Sequence, residues 1–246
     1  MAPLDYEAIC EANRENYGKK GAQKSGKLAA DRYADRTHFI FELLQNAEDA
    51  LRRRCGWHGH RRVTFRLTQD RLVLSHYGQP FDEADVRSIC DFDESTKSEA
   101  SIGRFGIGFK SVYTVTDRPE IHSGDEDFAI AGYVFPHRVA PTTREPDETQ
   151  IVLPLRRDDD TAFKEIAASF KLLEPTALLF LQHIDEISWS VNDGTSGVHL
   201  RSAPEVLTPN VHRIHIIGHE TGKPEVDQSW LVFNRVVLSA TGEDCG

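Results

Sequence analysis

Residues 42–50 read Glu42-Leu43-Leu44-Gln45-Asn46-Ala47-Glu48-Asp49-Ala50. Glu42, Asn46 and Asp49 are four and three residues apart, so a helix would place all three on one face. Apolar residues at helical spacing surround this stripe and predict a largely buried helix: Ile40, Leu43, Leu44, Ala47 and Leu51. The stripe itself contains no Lys or Arg for an ordinary ion pair. A carboxylate and an amide in this arrangement suit a bound cation and an activated water.

The composition limits the classes of protein that fit. A chain of 246 residues can form one large domain, or one domain and part of a second. The net charge of −10 does not favour nucleic-acid binding through overall charge. The four cysteines lack metal-ligand spacing, and we find neither a signal peptide nor a long apolar run. We therefore expect a cytoplasmic protein that does not span a membrane, with the basic cluster at 52–54 on a solvated surface.

Hydrophobic periodicity predicts an alternation of helices and strands. The predicted helices cover 4–17, 28–55, 82–90, 161–173 and 175–183, and one more runs from the glycine segment to about 115. The predicted strands cover 63–67, 71–75, 120–123, 128–135, 150–155, 186–191, 211–217 and 230–238. The first two strands form a hairpin. Loops are expected at 18–26 and 93–101, and Asp82 is a candidate N-cap.

A glycine-rich segment is the second signal for function. Gly103, Gly106 and Gly108 precede an apolar helix, and Lys110 and Ser111 follow them. Glycines let backbone N–H groups approach an anion, and a helix N-terminus adds a partial positive charge. The spacing matches neither the P-loop nor the dinucleotide-binding fingerprint. A tight connection from loop to helix is the alternative interpretation.

Together these motifs resemble the GHKL ATPase superfamily. The resemblance is carried by Glu42 with Asn46-Ala47-Glu48-Asp49-Ala50, by Gly78, and by Gly103-Arg104-Phe105-Gly106-Ile107-Gly108-Phe109. Three stretches are similar to the sacsin-like and NO VEIN-like ATP-binding domains: the sequence of residues 41–50, the turn with Pro80-Phe81 and the triplet Ser95-Thr96-Lys97. The resemblance covers residues 1–185, and 186–246 would be a partial second region or a strand-rich C-terminal extension.

The resemblance implies a role for each matching residue. Glu42 matches the general base that orients water against the γ-phosphate of ATP, and Asn46 matches the ligand of Mg²⁺. Asp49 matches a residue that lines the nucleotide site, although a structural carboxylate is an open alternative. Residues 103–109 match the loop that cradles the phosphates and closes the lid. Thr149 matches a threonine at the adenine end. Lys97 or Lys110 would add positive charge to the phosphates, or would lie on a solvated surface.

One residue departs from the superfamily pattern. In the D-x-G-x-G motif an aspartate accepts a hydrogen bond from the adenine amino group. Aligned through Gly78, that aspartate is replaced by His76 and the second glycine by Pro80. A neutral imidazole accepts one hydrogen bond and carries no negative charge. A simple turn residue is the alternative interpretation of His76.

The resemblance implies a two-layer α/β sandwich of the Bergerat type, in which helices cover one face of a mixed, mostly antiparallel sheet. The leading hypothesis for function is a Mg²⁺-dependent ATP-binding module with slow hydrolysis. The alternative is a nucleotide-gated interaction module with little hydrolysis, which would act on a protein client or through a nucleotide-dependent dimer. A histidine kinase is disfavoured because no phospho-acceptor helix precedes the ATP region. A nucleotide-free scaffold is disfavoured by Glu42, Asn46 and the three glycines.

Overall fold

The computed structural model describes residues 4–31, 36–92 and 108–233, with the side chains of 19–31 left out. Four α-helices lie in this part of the chain: α1 (Tyr6–Asp31), α2 (Phe39–Arg53), α3 (Glu83–Ile89) and α4 (Ala162–Phe170). Two 3₁₀ helices span Gly108–Thr114 and Pro175–Leu179. The strands are β1 (Arg62–Leu67), β2 (Arg71–His76), β3 (Glu120–Ser123), β4 (Glu126–Ala131), β5 (Phe135–Arg138), β6 (Thr149–Pro154), β7 (Glu186–Val191), β8 (Ser196–Arg201), β9 (Glu205–Thr208), β10 (Val211–Glu220) and β11 (Val226–Phe233).

The eleven described strands form one sheet. Its order is β11-β10-β8-β7-β1-β2-β6-β3-β4-β5, and β9 pairs with β10 beside this path. Among the described strands every pairing is antiparallel except that of β1 with β7. The predicted mixed, mostly antiparallel sheet is therefore confirmed. The sheet also crosses the proposed boundary at 185/186, and the division of the chain into two domains stays a prediction.

The core lies between one face of the sheet and the helices. Val63, Phe65 and Leu67 alternate along β1 as fully buried residues, while the residues between them face the other side. They belong to one apolar cluster with the inward residues of α2 and α4. The apolar residues predicted to bury α2 are all buried, so its amphipathic pattern is confirmed.

Several predicted boundaries are wrong for identifiable reasons. Helix α1 continues through the predicted loop 18–26 and only kinks, at Gly18, whose φ is 58°. The predicted helix 28–55 is two helices, because α1 ends at Asp31 and α2 begins at Phe39. The predicted strand 128–135 is divided between β4 and β5 by a turn in which Gly132 and Tyr133 have positive φ. The predicted loop 93–101 lies outside the described residues.

The missed strands lack an alternating apolar signal. The inward positions of β8 are Gly197 and His199 rather than aliphatic residues. Strand β11 begins at Val226, earlier than predicted, and polar residues follow at 227–229; it is an exposed edge among the described strands. The predicted N-cap at the start of α3 is confirmed, since Asp82 accepts the Asp85 N–H and the Asp85 side chain accepts the Asp82 N–H.

Glu48 ties α2 to the segment that leads into β7. Its buried carboxylate accepts the backbone N–H groups of Gln182, His183 and Ile184 at 2.7–3.0 Å. It also lies 2.9 Å from His183 Nδ1, which must donate because a carboxylate only accepts. This carboxylate therefore holds the start of β7 in place beside β1.

Replacing Glu48 tests this role. We expect Glu48→Ala to lower the free energy of unfolding by about 2–4 kcal/mol, because three backbone N–H groups, of which that of Ile184 is buried, would lose their acceptor. The measurement is urea denaturation beside Glu83→Ala, which removes an exposed i,i+4 pair with Arg87 and should cost less than about 0.5 kcal/mol. Equal losses in the two variants would contradict the role of Glu48.

Candidate functional site

The polar stripe of α2 divides into groups with different partners. Glu42 is partly exposed, and its Oε1 lies 3.0 Å from Nε2 of His38, one turn earlier on the chain. Asp49 forms an ion pair with Arg52 at 3.1 Å, which corrects the expectation that the stripe has no ordinary pairs. Burial raises the pKa of the Asp49 carboxyl and Arg52 opposes this shift. The contacts of Asp49 thus favour its interpretation as a structural carboxylate over that of a residue lining the nucleotide site.

Asn46 is the unsatisfied member of the stripe. Its Nδ2 is buried and has no hydrogen-bond partner among the described residues. A buried amide donor without a partner costs about 1–3 kcal/mol, so such a group commonly meets a ligand or a bound water. The amide also carries an oxygen of the kind that binds Mg²⁺. The side-chain oxygen atoms of Glu42 and Asn46 are therefore suitable ligands for a hydrated cation that lies beside an anion.

The last residue of the glycine segment packs directly against Glu42. A Cβ placed on Gly108 would overlap the Glu42 Oε2. Glycine at this position lets the start of the 3₁₀ helix Gly108–Thr114 lie against the carboxylate, and a larger residue would require the Glu42 side chain to shift. Two motifs that are about 60 residues apart in sequence are thereby brought together in the structure.

The rest of the predicted glycine segment and lid cannot be located in this way. Six residues of the predicted phosphate loop and lid lie outside the described residues, and their proposed roles stay predictions: Lys97, Gly103, Arg104, Phe105, Gly106 and Ile107.

Phe109 and Lys110 have structural partners. The Phe109 side chain is buried in the core. Lys110 is 1% exposed, and its Nζ donates to the carbonyls of Ile89 and Tyr133. Burial lowers the pKa of Lys110 to about 8. The solvated alternative for Lys110 is therefore wrong, and its carbonyl contacts do not favour the predicted phosphate role.

The turn after β2 meets the other end of α2. A Cβ on Gly78 would overlap Ala50, and the Gln79 N–H donates to the Ala50 carbonyl at 2.8 Å. Glu42 and Ala50 are eight residues apart, so the Gly108 and Gly78 contacts are separated along the helix by about 12 Å. This separation is on the scale of a nucleotide.

Buried polar groups collect at this second end. His76 is 2% exposed, and Thr149 pairs with it across β2 and β6. The Thr149 hydroxyl lies 2.6 Å from that of Ser123, which accepts the Phe81 N–H. His76 Nδ1 accepts the Gly78 N–H at 3.1 Å. The structure thus brings His76, Gly78 and Thr149 together, and their binding roles stay predictions.

Two arginines from the basic cluster lie near His76. Arg53 makes two hydrogen bonds to the Asp85 carboxylate. Arg54 donates to the Tyr77 carbonyl and to Asp147, and stacks over Trp57. The expectation of a solvated basic cluster is therefore wrong for Arg54, whose side chain is 15% exposed, whereas Arg52 and Arg53 are exposed as expected. Burial, with these two positive charges, lowers the pKa of His76 to about 4.

Sequence reasoning missed two contributors to this region. The first is His38, whose i,i+4 spacing to Glu42 is a sequence signal for a side-chain pair. Ser123 carries no sequence signal, because its contact with Thr149 depends on the β3–β6 pairing.

Within the described residues we find no group of three or more His, Cys, Asp or Glu side chains placed to hold a metal. None of the described helices has the length and apolar character needed to cross a membrane.

Comparisons with known proteins give a consistent result. A family model described as the Sacsin domain matches residues 27–132. Protein NO VEIN of Arabidopsis thaliana is 34% identical over 213 residues, which cover 76% of this chain and 8% of that protein. Sacsin of Homo sapiens is 30% identical over 152 residues, which cover 57% of this chain and 3% of sacsin. The chain thus spans less than a tenth of either relative, and the matches support a sacsin- and NO VEIN-like family.

The environment of His76 predicts acid sensitivity. Between pH 6.5 and about 4 the unfolded chain binds a proton at this residue and the folded chain does not, so stability falls as the pH falls. From pH 7 to pH 5 we expect His76 to contribute a loss of about 2 kcal/mol.

Urea denaturation at both pH values measures this loss. His76→Gln should reduce the pH dependence by that amount, whereas replacement of the exposed His219 by Gln should leave it unchanged. An unaltered pH dependence in His76→Gln would show that the buried imidazole does not resist protonation.

Proposed function

We propose that this chain, which carries a Sacsin domain homologous to parts of NO VEIN and sacsin, binds ATP with Mg²⁺ and hydrolyses it slowly. The observation that carries the proposal is the packing of Gly108 against Glu42, beside the unpartnered amide of Asn46. A glycine backbone lies against a carboxylate, and an amide follows one turn later on the same helix. These are the groups that phosphoryl transfer to water requires.

The phosphates would lie at the end of α2 where Glu42 meets Gly108. Asn46 would hold Mg²⁺, which when bound neutralises charge on the phosphates. Glu42 would orient the attacking water or accept a proton from it. His38 would act as a positioning residue, since its Nε2 lies 3.0 Å from Glu42 Oε1 and restrains the carboxylate. Catalysis would then rest on positioning and charge neutralisation.

The base would lie at the opposite end of α2, near Gly78, His76 and Thr149. The separation of about 12 Å between the two ends supports this orientation. The assignment of ATP rests on the resemblance to GHKL ATPases of the Bergerat fold. A cytoplasmic location and a protein client or nucleotide-dependent dimer also belong to the proposal.

The second candidate is a nucleotide-gated interaction module with little hydrolysis. Lys110 favours it, because two backbone carbonyls hold this ammonium group. Without the charge of Lys110 on the phosphates, binding would alter a partner surface while turnover stays very slow. Single-turnover kinetics with labelled ATP separate the two candidates, because only the enzyme releases phosphate faster than its Glu42 variant.

Glu42→Gln is the direct test of the catalytic assignment. The amide keeps the shape of the side chain and cannot accept the proton, so we expect Mg²⁺-dependent phosphate release to fall by about 100-fold or more. Calorimetry should show a nucleotide affinity within about threefold of the wild type, since Glu42 acts on water. Glu83→Gln, an exposed change on α3, is the matched control. Wild-type turnover in Glu42→Gln would remove Glu42 from this role.

A further inference from the structure

The hydrogen bond within the turn after β2 assigns the proton on His76. In a neutral imidazole one ring nitrogen accepts and the other carries the hydrogen. His76 Nδ1 accepts the Gly78 N–H, so Nε2 is the N–H donor. Nε2 has no hydrogen-bond partner among the described residues. His76 therefore offers an unpartnered donor where an aspartate would offer an acceptor.

This tautomer is held by its surroundings. The opposite tautomer would leave the buried Gly78 N–H facing a second N–H, without an acceptor. The positive charges of Arg53 and Arg54 and the burial of the ring oppose a doubly protonated imidazole. The donor at Nε2 is thus a fixed property of the folded chain at neutral pH.

The position of His76 links this donor to the base end of α2. It lies on the same face of β2 as the core residues Leu72 and Leu74, and thus on the side of the sheet covered by α2. Gly78, two residues later, packs on Ala50 at the end of α2 remote from Glu42 and Gly108. A nucleotide with its phosphates at Glu42 would bring its base towards His76.

We infer that His76 makes this site prefer a nucleoside triphosphate whose base carries a carbonyl at its hydrogen-bonding edge, as in hypoxanthine or guanine, over ATP. This inference rests on the proposed function and concerns the same site. A 6-oxo group accepts the Nε2 hydrogen. The 6-amino group of adenine would instead place a second donor against it, and both would lose their hydrogen bonds to water on binding.

Inosine triphosphate is the sharpest probe, because it differs from ATP only at position 6 and in the proton on N1. Titration calorimetry of the full chain with Mg²⁺ at pH 7 should show tighter binding of inosine triphosphate than of ATP by about tenfold. Guanosine triphosphate, which also carries a 6-oxo group, should likewise bind more tightly than ATP. His76→Asp, which restores an acceptor, should reverse the order in favour of ATP.

His76→Phe keeps a ring without a donor and should bring the affinity ratio close to one, so the test stands even where the buried aspartate prevents folding. Wild-type protein that binds ATP as tightly as inosine triphosphate, or more tightly, would overturn the inference and leave the proposed function intact. Wild-type protein that binds none of these nucleotides would overturn the proposed function and the inference with it.

Discussion

Close approach of backbone to α2 is the constraint on which the site depends. At one end Gly108 contacts the Glu42 carboxylate, and at the other Gly78 contacts Ala50. Neither position leaves room for a side chain in the present packing. The two glycines thus set where the 3₁₀ helix and the turn after β2 stand along α2. A carboxylate lies at the first contact, and the turn that follows the buried imidazole of His76 lies at the second.

The polar residues of α2 divide between support and site. Glu48 holds the segment before β7, and Asp49 pairs with Arg52 on the helix itself. Glu42 keeps part of its surface exposed, and Asn46 keeps a buried donor unsatisfied. Natural proteins commonly satisfy their buried polar groups, and exceptions concentrate where a ligand binds. The contrast between Asn46 and its satisfied neighbour Glu48 therefore supports the proposed site at the Glu42 end of the helix.

Much of this arrangement was predictable from local patterns. The burial of α2, the β1–β2 hairpin and the Asp82 cap follow from periodicity and from side-chain chemistry within a few residues. The contacts of Glu48 and the Ser123–Thr149 pair were not predictable, because they join segments brought together only by the sheet. Strand β8 was missed because its inward positions are Gly197 and His199, which give no apolar alternation. His76 was identified as a departure, but its tautomer required the hydrogen bond to Gly78.

The central claim is that a nucleotide lies along α2 with its phosphates at Glu42. A crystal structure with Mg²⁺ and a non-hydrolysable ATP analogue tests it most directly. The account predicts the terminal phosphate beside Gly108 and Glu42, the metal on the Asn46 side-chain oxygen, and the base near Gly78 and His76. A nucleotide bound in the reverse direction, or bound away from α2, would contradict it.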